Sequence, residues 1–517
     1  MLARAHTFTI EGLHARHVTV EVDVRRGLPG FAIVGLADAA VREARERIQA
    51  AILNSGYEFP ARRIVANLAP GDVRKAGPGL DLALACAVLG ASGQLTPESL
   101  ERVALFGELA LDGAVRPSRG TLAVAQSTQR AGLGKLLLAS ERAREAGLID
   151  GLQVAAVEQL CSAVRVLGGA PGDALPPQRA AARTIDPGAA GSLTPNFPTV
   201  DLAEVVGQPH AVRTLMIAAA GAHNILLSGP PGTGKTMLAQ RLPSILPALS
   251  KSEAVEVTRI HSVMGASILA LAASRPFRAP HHSITAAGLL GGALRGSLGE
   301  AVLAHHGVLF LDELSEFTRP ALEALRQPLE EGRVAIARAH HSAVYPARFM
   351  LVAATNPCPC GYAGDGDRCA CSEADMARHR KRLSGPLLDR IDLLVNLQRD
   401  TSRDRDAEPL LSSAEALRQV DGARARQARR LAGDGVSVNA HMDARMLARH
   451  VRLDERGERM LAAGRHGGLL SARGEHRVLK VARTIADLRA SERVRARDVG
   501  AALALRPDVV LAGSRVA

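Results

Sequence analysis

Positions 229 to 236 read Gly229-Pro230-Pro231-Gly232-Thr233-Gly234-Lys235-Thr236. The run from Asn224 to Leu227 precedes this segment and reads as a strand, and Met237 to Leu242 follows it and reads as a helix. A glycine-rich turn between strand and helix is the context in which backbone N–H groups close around phosphate oxygens. The helix N-terminus adds its positive dipole end. Lys235 would set a compact charge against the β- and γ-phosphates, and Thr236 would offer a hydroxyl to Mg²⁺. A chance glycine-rich turn is the alternative. Against it, the chain has only six lysines, and one stands where the pattern requires it.

Two further strand ends carry suitable chemistry. Val308 to Leu311 is an apolar run that delivers Asp312 and Glu313 at its C-terminal end, where open α/β sheets bind ligands. Asp312 is expected to hold Mg²⁺ through water, and Glu313 to polarise the attacking water as general base. Alone, such a pair reads as a solvated acidic turn. About 75 residues after the glycine-rich loop, in the same block, it reads as the second half of a nucleotide site. The run from Phe349 to Thr355 ends in Asn356, whose amide would orient that water. Arg390 follows a short helical pattern, and Arg473 opens a later helix. A planar guanidinium suits the charge that builds on γ-phosphate oxygens. Nearly all of the 64 basic residues are arginines, however, so composition does not single out these two.

At 517 residues the chain is too long for one core. Residues 18–24 alternate apolar and polar as a half-buried strand. Residues 38–54 place Val41, Ala44, Ile48, Ala51 and Ile52 on one helical face, with Gly56 as the stop. The reading is an α/β protein in which 1–167 form a first domain and the proline-rich 168–200 a linker. Residues 201–400 form a P-loop core with a parallel sheet, and 401–517 a helical domain. No apolar run of about 18 residues appears, and Met1 to Glu11 lack a signal pattern, so no membrane span and a cytoplasmic location are expected. The net charge of +12 favours an anionic partner, nucleic acid first. Arginine-rich, lysine-poor composition also arises from a GC-rich genome. With no Trp and three Tyr, base stacking is not expected to dominate.

Together, the loop 229–236, the Leu309 to Glu313 strand end, Ala354 to Pro357, Leu387 to Leu393 and Ser471 to Leu488 resemble the magnesium-chelatase-like branch of AAA+ ATPases. The segments Phe277 to Thr285 and Asn356 to Gly361 are specific to its ComM/YifB group. The resemblance covers nearly the whole chain. It implies ATP and Mg²⁺ as cofactors and a homo-hexameric ring with sites between subunits. It further implies Arg390 as the finger reaching a neighbour's nucleotide, Arg473 as sensor 2 and Asn356 as sensor 1, with Val206, Gly207 and Gln208 near the adenine. Members of that group resemble DNA helicases that drive branch migration in natural transformation. The rival readings are a chelatase subunit and an ATP-dependent protease or chaperone.

The first block resembles Lon-type proteases through Gly77 to Ala85 and Gly107 to Pro117. The nucleophile position falls on about Gly79 and the lysine position on about Leu122, so neither can act; Ser118 and Lys135 lie off the pattern. A non-proteolytic domain is expected.

Within the central block, the stretch 277–300 and a hairpin from Gly332 to Tyr345 are expected to line the ring pore. Arg333 and Arg338 would meet DNA phosphates there without reading bases. The doublets His281-His282, His305-His306 and His340-His341 are poor chelates if neighbours point to opposite faces, and read as loop residues. Cys358, Cys360, Cys369 and Cys371 fall within fourteen residues. They suit four-thiolate structural zinc or remain free thiols.

Overall fold

The computed structural model describes residues 1–169, 200–266, 268–292, 298–338, 341–363, 368–382, 385–399, 411–466 and 470–506. Most of the expected linker, 170–199, therefore lies outside the described residues. The chain forms two compact units: Met1–Pro195 with Lys251–Ala273, and Asn196–Ser250 with Ser274–Ala517. Residues 251–273 thus group with the first unit, although they fall within the stretch 201–400 read as one block.

The first unit is built on a seven-stranded mixed sheet. Its order is Gly30–Val34, Arg63–Ala69, His14–Arg25, Leu2–Glu11, Val103–Phe106, Lys135–Ala139 and Gln153–Val157. The alternation expected at 18–24 is realised, with Val18, Val20, Val22 and Val24 buried. The expected helix spans Ala39–Asn54. Asp38 caps it by accepting from the Val41 N–H, and Val41, Ala44, Ile48, Ala51 and Ile52 are buried. The helix Asp81–Ser92 is almost wholly buried and carries Asp81 into the core, where Arg47 meets it with two bonds of 3.0 and 3.2 Å.

The two positions compared with a protease, Gly79 and Leu122, are both buried. A Cβ built on Gly79 would lie 2.5 Å from the Phe106 ring, so a side chain there would require that ring to shift. Leu122 is fully buried in a cluster with Phe8. Its N–H donates to Glu145 at 3.0 Å and to the Ser262 hydroxyl at 3.3 Å. Ser262 belongs to the helix Lys251–Met264, which packs on the helix Thr121–Arg130. The lysine position is therefore a docking point for the returning segment. Arg142 fixes that segment by donating to the carbonyls of Gly265 and Ala266.

The second unit holds a five-stranded sheet. Its order is Phe277–Arg278, Val308–Leu311, Met350–Thr355, Ile225–Ser228 and Leu393–Asn396, and every neighbouring pair is parallel. Strands buried on both faces need continuous apolar runs, which Val308–Leu311 and Met350–Ala354 supply. Beyond residue 411 the described chain is helical, through Ser413–Arg430, Ala444–His450, Glu455–His466, Ala472–Leu488 and Ala496–Ala504. Arg333–Arg338 and His341–Pro346 form an antiparallel hairpin outside the sheet. The stretch 277–300 contributes the edge strand and a helix, Ala286–Leu290; residues 293–297 lie outside the described residues, as does His340. No helix among the described residues is long and apolar enough to cross a membrane.

Candidate nucleotide-binding site

The ends of three adjacent strands converge on the glycine-rich loop. Ile225–Ser228 runs directly into Gly229, whose N–H donates to the Thr355 carbonyl at 3.3 Å. A Cβ at Gly229 would stand 2.7 Å from the Leu397 carbonyl oxygen, so the loop enters between two strand ends through a gap that only glycine passes. Gly232 and Gly234 have φ of +79° and +85°, the left-handed region that a side chain disfavours. Open space surrounds the Cβ position of Gly232. Thr233 closes the turn by donating its hydroxyl to the Pro230 carbonyl at 2.8 Å.

Lys235 folds over this loop. Its Nζ donates to the carbonyls of Gly229 and Pro230 at 2.7 and 2.9 Å and to Asn356 Oδ1 at 3.1 Å. Partial burial holds its pKa below the ordinary lysine value, against the opposing charges of Asp312 and Glu313. Thr236 Oγ1 donates to Asp312 Oδ2 at 2.7 Å. Neighbouring residues of the loop thus reach two other strand ends, Lys235 bonding Asn356 across 121 residues and Thr236 bonding Asp312 across 76.

Glu313 follows Asp312 at φ +52°, an uncommon conformation for a residue with a side chain. Its N–H donates to Asp312 Oδ1 at 2.9 Å, and its carboxylate Oε2 lies 3.3 Å from His282 Nδ1. His282 was missed as a site residue by sequence reasoning, which set its doublet aside as loop. The two rings do not point apart. Their centroids are 4.0 Å apart, because the segment is a turn and not a strand. His281 bonds Ser283 and His282 faces Glu313. The doublet within Phe277 to Thr285 was the available signal.

Relatives of this chain extend over nearly its whole length. The protein YifB of Escherichia coli is 41% identical, covering 95% of this chain and 94% of that protein. The competence protein ComM of Haemophilus influenzae is 39% identical over 99% of this chain and 98% of its own length. The chain belongs to the magnesium-chelatase-like family of AAA+ ATPases, in its ComM/YifB group. Residues 201–405 match the family described as magnesium chelatase, subunit ChlI, and 20–142 and 411–506 match the families of a further ChlI segment and the ChlI C-terminal region. The branch migration subunit RuvB of Mycobacterium avium is 30% identical over a shorter stretch, 28% of this chain and 36% of that protein.

As an AAA+ ATPase of this family, the protein uses ATP with Mg²⁺. The residues present fit both: an open, left-handed glycine turn beside a lysine suits phosphates, and the paired oxygens of Thr236 and Asp312 are the hard donors Mg²⁺ takes. When bound, Mg²⁺–ATP supplies the phosphoanhydride whose charge these groups offset. Lys235 Nζ is the cationic group beside this turn, and Asn356 lies within its reach.

The other expected residues stand in different settings. Val206 is exposed, and Gln208 Nε2 donates to the Gln398 carbonyl at 2.8 Å, just past the strand Leu393–Asn396. Arg390 is largely buried, with its guanidinium engaged by the Glu330 carboxylate. Arg473 is exposed on the first turn of Ala472–Leu488. Arg477, one turn further on, donates to the Ile391 carbonyl at 3.2 Å. Arg333 is exposed and paired with Glu331 at 2.9 Å; the side chain of Arg338 lies outside the described residues.

The four cysteines come together. All four sulfurs lie within 4.8 Å of one another, with Cys358 and Cys369 3.8 Å apart and Cys360 and Cys369 3.7 Å apart. Four thiolates around one zinc ion at about 2.3 Å define a tetrahedron with edges of about 3.8 Å. With Cys358 and Cys360 closer, at 3.3 Å, the cluster is near enough to that size for the four sulfurs to hold one zinc ion.

Proposed function

We propose that this protein is an ATP-driven DNA translocase that moves branched DNA during recombination of incoming strands in natural transformation. The observation that carries this reading is the position of the basic hairpin 333–346 in the chain. It occupies the connection between the strand that delivers Asp312 and Glu313 and the strand that delivers Asn356. A change at the nucleotide phosphates is thereby linked to a basic surface, through the helices Arg319–Ala324 and Arg326–Glu331 on one side and the short step from Pro346 to Met350 on the other. The names of two relatives, a competence protein and a branch migration subunit, support the same reading.

In this reading Glu313 accepts a proton from the attacking water, and His282 and the unusual backbone angle hold its carboxylate in place. Lys235 and the backbone of Gly229 to Gly234 bind phosphates, and Thr236 and Asp312 hold Mg²⁺. Asn356 orients the water. Val206 and Gln208 border the adenine. The chain assembles as a homo-hexamer in which Arg390 leaves Glu330 to reach a neighbour's nucleotide and Arg473 acts within its own subunit. Arg333 and Arg338 contact DNA backbone, the first domain serves assembly rather than proteolysis, and the four cysteines hold a structural zinc ion.

The deciding experiment is ATP turnover of the full chain with no DNA, with duplex, and with a four-way junction. Stimulation by the junction beyond duplex is expected. A rate indifferent to every DNA, with stimulation by a porphyrin and its chelatase partners instead, would move the assignment to metal insertion.

A further inference from the structure

Resting on the zinc reading above, we infer that the four-cysteine clamp governs the ATPase site. Metal in the thiolate cage fixes Asn356 and Pro231, and its loss slows hydrolysis without emptying the site of nucleotide.

The argument follows the chain out of the strand Met350–Thr355. Asn356 is the first residue beyond the strand, and Cys358 lies only two positions further, fully buried. Cys360 follows, and then Gly361, which turns back at φ +87°. A Cβ built there would be 2.9 Å from Pro231 Cδ in the glycine-rich loop and 3.8 Å from Asn356 Cγ. The first cysteine pair therefore lies on a loop pressed directly against the nucleotide site.

The second pair reaches the same residue from the other side. Cys369 and Cys371 lead into the helix Glu373–Arg382. His379 of that helix is buried and donates from Nε2 to the Asn356 carbonyl at 3.0 Å. The side chain of Asn356 faces Lys235 while its backbone is held by His379. Closing the four sulfurs on one ion thus joins the two supports of Asn356 into a single rigid piece.

Charge favours the metal form. Four thiolates and one Zn²⁺ carry a net charge of −2, and binding releases whatever protons the thiols still hold. Arg378 and Arg382 line the cleft beside Cys360 and Cys371, where they offset that charge; Asp375 opposes them in part through its pair with Arg378 at 3.4 Å. With four protein sulfurs no position remains for water, so the ion positions groups and does no chemistry itself.

The test uses the full chain expressed with zinc supplied and measures three quantities for each protein: zinc per chain by mass spectrometry, affinity for a fluorescent ATP analogue, and kcat. Wild type is expected to carry one zinc. A Cys369→Ser, Cys371→Ser variant should lose it, lose about tenfold or more in kcat, and keep analogue affinity within about threefold. Cys371→His, which keeps a ligand, should keep the zinc and most of the turnover. Gly361→Ala keeps all four thiols but forces the loop off Pro231, and should keep its zinc while losing kcat to a similar extent. Absence of zinc from wild type would overturn the metal reading and this inference together. Zinc present in wild type and lost from the serine variant with kcat unchanged would overturn the coupling alone. If the serine variant fails to fold, Gly361→Ala decides: full kcat with zinc retained refutes the coupling.

Discussion

The Glu313 carboxylate is held 3.3 Å from His282 Nδ1, and the backbone beneath it is at φ +52°. The contact and the backbone turn both bear on where this acid sits, and the proposed function casts it as the general base. Glu313→Gln keeps the shape and loses the base. Turnover is expected to fall by about 10² to 10⁴ with ATP affinity retained. A loss of tenfold or less would show that another group takes the proton. His282→Ala should leave KM near wild type and lower kcat by a smaller factor, because the backbone restraint remains.

Lys235→Ala should abolish nucleotide binding itself. A mixture of that variant with Arg390→Ala should recover part of the activity, because one interface in the mixed ring then has both an intact loop and an intact arginine. Arg390 is paired with Glu330 within its own chain, so this recovery requires the arginine to change partners. Assembled mixed rings with no recovery would show that Arg390 works only inside its own subunit.

The first unit carries a stability prediction with a defined pH dependence. Burial raises the Asp81 carboxyl to about 6, with Arg47 opposing the shift. A carboxyl raised above its unfolded value of 3.8 favours folding at low pH, and that contribution is lost as pH rises to about 6. Arg47→Ala removes the partner and pushes the carboxyl higher, so the loss continues above that pH. The variant is expected to be destabilised by about 3–5 kcal/mol at pH 8 and by less at pH 5. Chemical unfolding at both pH values measures it. An equal cost at both would mean the ionised Asp81 does not need Arg47.

DNA binding should be sequence-independent and steeply dependent on salt, since phosphates carry no base information and each one neutralised releases counterions. Replacing Arg333 and Arg338 together by alanine should flatten the plot of log affinity against log salt by roughly 0.9 for each lost phosphate contact. It should also abolish DNA-stimulated turnover while basal ATPase survives. An unchanged slope with full stimulation would assign the contact elsewhere, with the basic helix Ser413–Arg430 next in line.

Local patterns determined much of this protein on their own. The glycine turn, the apolar strands that end in Asp312 and Asn356, and the alternating valines from Val18 to Val24 are legible because each is written in consecutive residues under a fixed backbone period. Spacing of the cysteines allowed zinc but did not choose it. That Lys235 meets Asn356, that His282 meets Glu313, and that four sulfurs gather within 4.8 Å of one another were decided by the tertiary structure. Strand order sets those distances, and strand order depends on long-range packing. The same holds for residues 251–273, which lie within the ATPase stretch in sequence but dock where a protease lysine would stand. No local pattern records that Ser262 will find Leu122 and Glu145, because the bonds joining them close loops of more than 100 residues.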